Sequence, residues 1–152
     1  MIGAKEHIFV VTPVFEDSKA CYQLFSELVN HFSDNVYIIA IEDGSIDRPL
    51  NIDHFNLAGA NGVLINLRRN YGHQVAIAVG INHAQKIMGE NDILVIMDSD
   101  GEDIPHTIPI LIDKLKDERY EVAVAERKKR YESLIFKSFY FFYKYIFRIM
   151  TG

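Results

Sequence analysis

The sequence predicts an α/β domain, a mostly parallel sheet with helices on both faces, followed by a C-terminal amphipathic helix. Short, nearly all-apolar runs alternate with longer segments of helical spacing, which is the pattern of parallel strands buried on both sides. Four of those apolar runs end in polar turn signals. The chain has 152 residues, 49% hydrophobic and 24% charged, enough to build one cored domain and too apolar to stay disordered.

Each element follows from local spacing. "HIFVVTPV" (His7 to Val14) reads as the first strand, and "SKACYQLFSELVNHF" as a helix with apolar residues at Cys21, Leu24, Phe25, Leu28 and Val29. "NVYIIAIEDGS" gives a second strand ending in a turn, "NGVLINLRRN" a third and "DILVIMD" a fourth. Pro49 to Asn61 has the mixed character of a loop holding a short helix. In "GHQVAIAVGINHAQKIM", Ala76, Gly80 and Ala84 recur every four positions, so one helix face can lie very close to a sheet. "IPHTIPILIDKLKD" is a helix with Pro105 and Pro109 near its start, and "YEVAVAER" is expected as a fifth strand.

The net charge of −5 conceals an asymmetry. Residues 1–126 carry 9 Lys and Arg against 20 Asp and Glu, while residues 127–152 carry 7 against 1. An acidic body therefore leads into a basic, aromatic tail. Cys21, the lone cysteine, excludes an intrachain disulfide and reads as a small buried apolar residue. The N-terminus lacks the features of a secretory signal, and no charge-free apolar run is long enough to span a bilayer. No nucleic-acid partner is expected.

Ligands of open parallel sheets bind beyond the carboxyl ends of the strands, where this sequence concentrates its polar signals. In "LVIMDSDGED", Asp98, Asp100, Glu102 and Asp103 follow a buried strand directly. Carboxylates at i and i+2 of a turn can converge on one hard cation, Mg²⁺ or Mn²⁺, which prefers oxygen ligands. Such a cation can bridge a diphosphate. The same stretch resembles the nucleophile motif of haloacid dehalogenase-type phosphatases, with Asp98 attacking a phosphoryl group and Asp100 as acid/base. Glu102 stands where that motif has Thr, and the motif sits too late in the chain for it.

Taken together, five motifs in order resemble the family 2 glycosyltransferases of the GT-A, Rossmann-like fold, closest to the branch that glycosylates polyprenyl phosphates. "VVTPVFED" is similar to that branch's Val-Pro-Val-Tyr-Asn-Glu, and "IEDGSIDR" to its Asp-Asp-Gly-Ser-x-Asp turn. "RRNYGHQVAIAVGINHA" resembles its Arg-Asn-Phe-Gly-His-Gln segment, "VIMDSDGEDIP" its Asp-Ala-Asp-Leu-Gln-Asp-Pro-Pro, and "ERKKR" its basic segment.

The resemblance implies a UDP- or GDP-sugar donor, with Pro13, Phe15 and Asp17 bordering base and ribose and Asp43 and Ser45 on the nucleotide. It implies that Asp98 and Asp100 sit beside metal and diphosphate, with Glu102 a further metal ligand. Arg127 would meet phosphate as a fixed cation. His73 reads instead as a surface residue in the first turn of its helix. Glu16, Asp17, Glu42 and Glu102 depart from the family's residues while keeping oxygen chemistry.

The tail "ESLIFKSFYFFYKYIFRIM" (132–150) places Lys137, Lys144 and Arg148 on one helical stripe, with Leu134, Phe139, Phe142 and Ile146 elsewhere. A helix of this kind can lie in a membrane interface, the alternative being a helix that packs on protein outside this chain. The resemblance places residues 1–130 as the nucleotide-sugar portion and 131–152 as an interface helix at the cytoplasmic membrane face. It also implies a chain shorter than the family's usual length, whose exposed apolar tail favours homo-oligomers. The expected reaction is hexose transfer to a polyprenyl phosphate. The alternative is a nucleotide-binding fragment that lacks the acceptor half.

Overall fold

The computed structural model describes residues 6–116 and 120–126. Four parallel strands form one sheet: β1 (Ile8–Val14), β2 (Val36–Glu42), β3 (Gly62–Asn66) and β4 (Ile93–Ile96), in the order β3-β2-β1-β4. The helices are α1 (Ser18–Phe32), α2 (Ile52–Ala58), α3 (His73–Ala84) and α4 (Ile108–Leu115), with a 3-10 turn at Pro105–Thr107 leading into the last. The expected α/β architecture is therefore observed, and α2 is the short helix anticipated between Pro49 and Asn61.

β1 and β2 are apolar throughout because both faces of the sheet are covered, and alternate side chains serve different layers. Ile8, Val10 and Val14 of β1, with Ile38 and Ala40 of β2, pack on Leu24, Phe25 and Leu28 of α1, Phe55 of α2, and Ile108. Phe9, Val11, Ile39 and Ile41 point to the other face, against Ala76 and Ala84 of α3. The buried Cys21 sits in the first of these layers, and its thiol is pushed well above its usual range chiefly by desolvation.

The small-residue stripe of α3 lets its backbone lie almost on the sheet. A Cβ at Gly80 would fall 2.4 Å from Val11 Cγ1 and 2.6 Å from Ile41 Cδ1. The helix caps are local: Asp17 accepts from Ala20 N–H at 3.5 Å, Asn51 and His54 form a capping box on α2, and Gly59 closes α2 in the left-handed conformation.

The expected fifth strand is not formed over the described residues 120–126. Val122 and Val124 are 75% and 82% exposed, and residues 122–126 run beside β4 across an apolar groove of about 540 Å³. Alternating apolar residues suit a strand, but a strand also needs a ladder partner. The pairings of β4 among the described residues are all with β1. The C-terminal helix expected at 131–152 lies outside the described residues.

In a helix interior Gly→Ala ordinarily stabilises by about 1 kcal/mol. Gly80→Ala is expected to do the reverse, destabilising by about 1–3 kcal/mol because Val11 is β-branched and fully buried and cannot yield. Chemical denaturation of the two proteins checks the sign.

Candidate functional site

Chain direction places the ends of all four strands on one edge, and the order β3-β2-β1-β4 puts the topological switch between β1 and β4. A crevice opens at such a switch. Four segments border this edge: Phe15–Asp17 after β1, Asp43–Ser45 after β2, Leu67–Gly72 after β3 and Met97–Asp103 after β4. Loop N–H groups there have no ladder to join and need other acceptors.

Carboxylates supply most of them. Glu42, the last residue of β2 and only 4% exposed, accepts from Ser45 N–H at 2.8 Å and Leu50 N–H at 2.6 Å. Glu16 reaches across from the β1 loop to accept from Ile46 N–H at 2.5 Å, Asp47 N–H at 3.1 Å and Arg48 N–H at 2.9 Å. Its own N–H donates to Ser45 Oγ at 2.7 Å. These bonds hold Glu16 at φ +54°, a conformation rarely adopted by a residue with a side chain. They also hold its carboxyl below the usual range, with the Ile46 and Arg48 N–H groups the main causes.

Asp43 ties the β2 loop to the β3 loop. Its two oxygens accept from Tyr71 N–H at 2.8 Å and Gly72 N–H at 2.9 Å, and the residue is 2% exposed. The loops approach so closely that a Cβ at Gly44 (φ +74°) would meet Arg69 C at 2.3 Å. Arg69 stacks its guanidinium over Tyr71, 4.9 Å from the ring centroid. Gly72, at φ +94°, then turns the chain into α3, and the first residue of that helix, His73, brings Nε2 to 3.3 Å from Asp98 Oδ1.

The loop after β4 is shaped by its own carboxylates. Asp98 N–H donates to Asp103 Oδ2 at 2.9 Å, and Glu102 N–H to Asp100 Oδ1 at 2.8 Å, with Gly101 at φ +80° between them. Ser99, nearly buried, donates its hydroxyl to Pro13 O at 3.1 Å, so the loop is fastened to β1 across the switch point.

The expected site residues divide accordingly. Asp98, Asp100, Ser45, Asp43 and Pro13 all lie on the one edge, linked by these contacts. Phe15, 49% exposed, stands on the edge with its ring available for stacking. Asp17 caps α1. The trio Asp98, Asp100 and Glu102 does not close into a metal-holding group, and among the described residues no three His, Cys, Asp or Glu do. The reason is local, since Asp100 folds back onto the Glu102 N–H. Arg127 and the basic segment 127–130 lie outside the described residues, as does the tail 132–150.

A cation still suits the chemistry of this edge. A diphosphate brought against Asp98 and Asp100 is repelled unless a positive charge lies between them. Hard divalent ions are commonly held by one or two carboxylates together with phosphate oxygens. Asp98 and Asp100 offer oxygen donors of the kind such ions take, although no group of three closes on one among the described residues.

Four residues on the edge escaped sequence reasoning: Glu16 and Glu42 as loop anchors, Ser99 as a tether, and His73 as the partner of Asp98. Glu42 had a local signal, a Glu three and eight residues before the N–H groups it takes. Glu16 and His73 had none, because their partners are 30–32 and 25 residues away.

Residues 9–149 match the profile of glycosyl transferase family 2. The chain is 34% identical over 133 residues to the uncharacterized glycosyltransferase YkcC of Bacillus subtilis, covering 84% of this chain and 39% of that protein. It is 30% identical over 147 residues to the glycosyltransferase sll0501 of Synechocystis, covering 92% and 44%. It is also 30% identical over 136 residues to an undecaprenyl-phosphate 4-deoxy-4-formamido-L-arabinose transferase of Salmonella choleraesuis, covering 86% and 40%. The chain thus spans about two fifths of the length of these relatives.

The anchoring carboxylates make two measurable claims. Glu42→Ala strands the N–H groups of Ser45 and Leu50, at about 1–3 kcal/mol for each left buried without a partner, which equilibrium unfolding reads directly. Glu16 has a depressed pKa in the folded protein, so its contribution is complete above the unfolded value of about 4.5 and is lost as pH falls through the folded value. Wild-type and Glu16→Gln melting temperatures should therefore keep a constant gap above about pH 4.5 and converge below it.

Proposed function

The chain belongs to glycosyl transferase family 2, and from that premise we propose that its sheet edge binds a nucleotide-diphosphate sugar and transfers the sugar to a polyprenyl phosphate at a membrane surface. The observation that carries the proposal is the position of the Asp98-Ser99-Asp100 turn, at the end of β4 beside the switch point and fastened to β1 through Ser99.

In this reading Phe15 stacks with the base while Pro13 and Asp17 border the ribose. Ser45 and Asp43 hold the β2 loop that walls the nucleotide. Asp98 and Asp100 would hold Mg²⁺ or Mn²⁺ on the diphosphate side of the site, and Glu102 stands next to them on the turn. The cation, when bound, offsets the charge that collects on the departing nucleoside diphosphate. The protein's part is to fix the donor against a rigid edge and aim its anomeric carbon at the acceptor. A polyprenyl phosphate arrives already anionic, so no strong general base is required and transfer proceeds with inversion. Arg127 serves as the fixed cation for phosphate, and the basic, aromatic residues 132–150 meet the cytoplasmic membrane face.

Three relatives are named undecaprenyl-phosphate 4-deoxy-4-formamido-L-arabinose transferases, which supports a polyprenyl acceptor; their sugar is a pentose derivative, whereas a hexose is the sugar class proposed here. Among the described residues no helix is long and apolar enough to cross a membrane. Because the chain spans about two fifths of its relatives, the second reading is a donor-binding portion that needs further protein to turn over.

Calorimetry with UDP and GDP, with and without Mn²⁺, tests the donor site. Binding to one of them that depends on Mn²⁺ and is lost in Asp100→Ala is the expected result, and absence of binding to both overturns the proposal. A radiolabelled transfer assay with undecaprenyl phosphate then separates an enzyme from a binding portion.

A further inference from the structure

The geometry points to His73 as the positioning residue of Asp98, an inference that rests on the donor-site reading above. His73 Nε2 lies 3.3 Å from Asp98 Oδ1, joining the start of α3 to the turn after β4. The contact needs only an N–H at Nε2, which the neutral ring supplies as well as the charged one. The carboxylate is an acceptor, so a proton on Nε2 makes the approach attractive.

Both ends of this contact are braced independently. On the His73 side, the two preceding N–H groups, of Tyr71 and Gly72, are gripped by the two oxygens of the buried Asp43. Gly72 O accepts from Val75 and Ala76 N–H at 3.0 and 3.1 Å, which anchors the first turn of α3. On the Asp98 side, the backbone N–H is held by Asp103 Oδ2 at 2.9 Å. With both backbones fixed, the orientation of the Asp98 carboxylate rests on its side-chain torsions, and the His73 contact bears directly on these. Asp43, His73 and Asp98 thus link three strand-end loops: the enclosed Asp43 holds the backbone just before His73, and the imidazole lies against the Asp98 carboxylate.

Side chains are 54% exposed at His73 and 34% at Asp98, so the pair contributes little to folding. Its effect should appear instead in binding, because partners that orient a metal-facing carboxylate commonly alter affinity 10–100-fold. Gln places an amide N–H near the position of the imidazole Nε2, and so is the conservative replacement.

The test compares wild type, His73→Ala and His73→Gln in calorimetric titrations with UDP and GDP in the presence of Mn²⁺, and with Mn²⁺ alone. Circular dichroism melts accompany each titration. His73→Ala is expected to weaken Mn²⁺-dependent nucleotide binding about tenfold with little change in melting temperature, and His73→Gln to recover most of the loss. In an Asp98→Ala background, His73→Ala should cause no further loss, because its effect passes through Asp98. Undiminished binding in His73→Ala overturns the inference alone, as does an equal loss in both variants. Failure of wild type to bind either nucleotide overturns the donor-site reading and the inference with it.

Discussion

Backbone N–H groups left without ladder partners at the carboxyl edge of the sheet are satisfied by side-chain carboxylates, and the shape of that edge depends on this. Glu42 holds the turn that follows its own strand, Glu16 holds the next stretch of the same loop, and Asp43 holds the entry to α3. A buried N–H without an acceptor costs as much as several good surface contacts return, so Glu42, whose bond from Leu50 N–H is buried, and the enclosed Asp43 fix their loops more firmly than the exposed bonds of Glu16 do.

The acidic excess of the body takes on a different meaning in this light. A count of carboxylates suggests a broad electronegative surface, but several of them point into backbone N–H groups. Near β4 the same economy operates within a single turn, where Asp103 accepts from Asp98 N–H and Asp100 from Glu102 N–H. Strands supply rigidity, carboxylates fix the loops between them, and the Asp98-Ser99-Asp100 turn is presented beside β1 at the switch point. An edge built in this way is fixed by its own hydrogen bonds, and such preorganisation is the condition for electrostatic stabilisation to act on a transition state.

The strands and helices were legible because their signals are local. The apolar runs of β1 and β2, the spacing of Leu24, Phe25 and Leu28, and the Ala76-Gly80-Ala84 stripe each state their own environment. The site was legible as a set of motifs, since Pro13, Asp43, Ser45, Asp98 and Asp100 do share one edge. Its wiring was not. By sequence Asp43 reads as a nucleotide contact, yet its oxygens accept from Tyr71 and Gly72 N–H, and His73 reads as an ordinary surface residue although it lies against Asp98. Alternation in Tyr120–Glu126 suggested a strand, which requires a partner that the segment's own residues cannot name.

By itself the sequence determined the four strands and four helices of the described residues, the parallel α/β class, and the family to which the motifs belong, because periodicity and short motifs are properties of neighbouring residues. Tertiary structure alone decided which carboxylates anchor backbone and which border the crevice. Glu16 meets its partners across 30 or more residues and His73 meets Asp98 across 25, and only the order β3-β2-β1-β4 brings those loops to one edge.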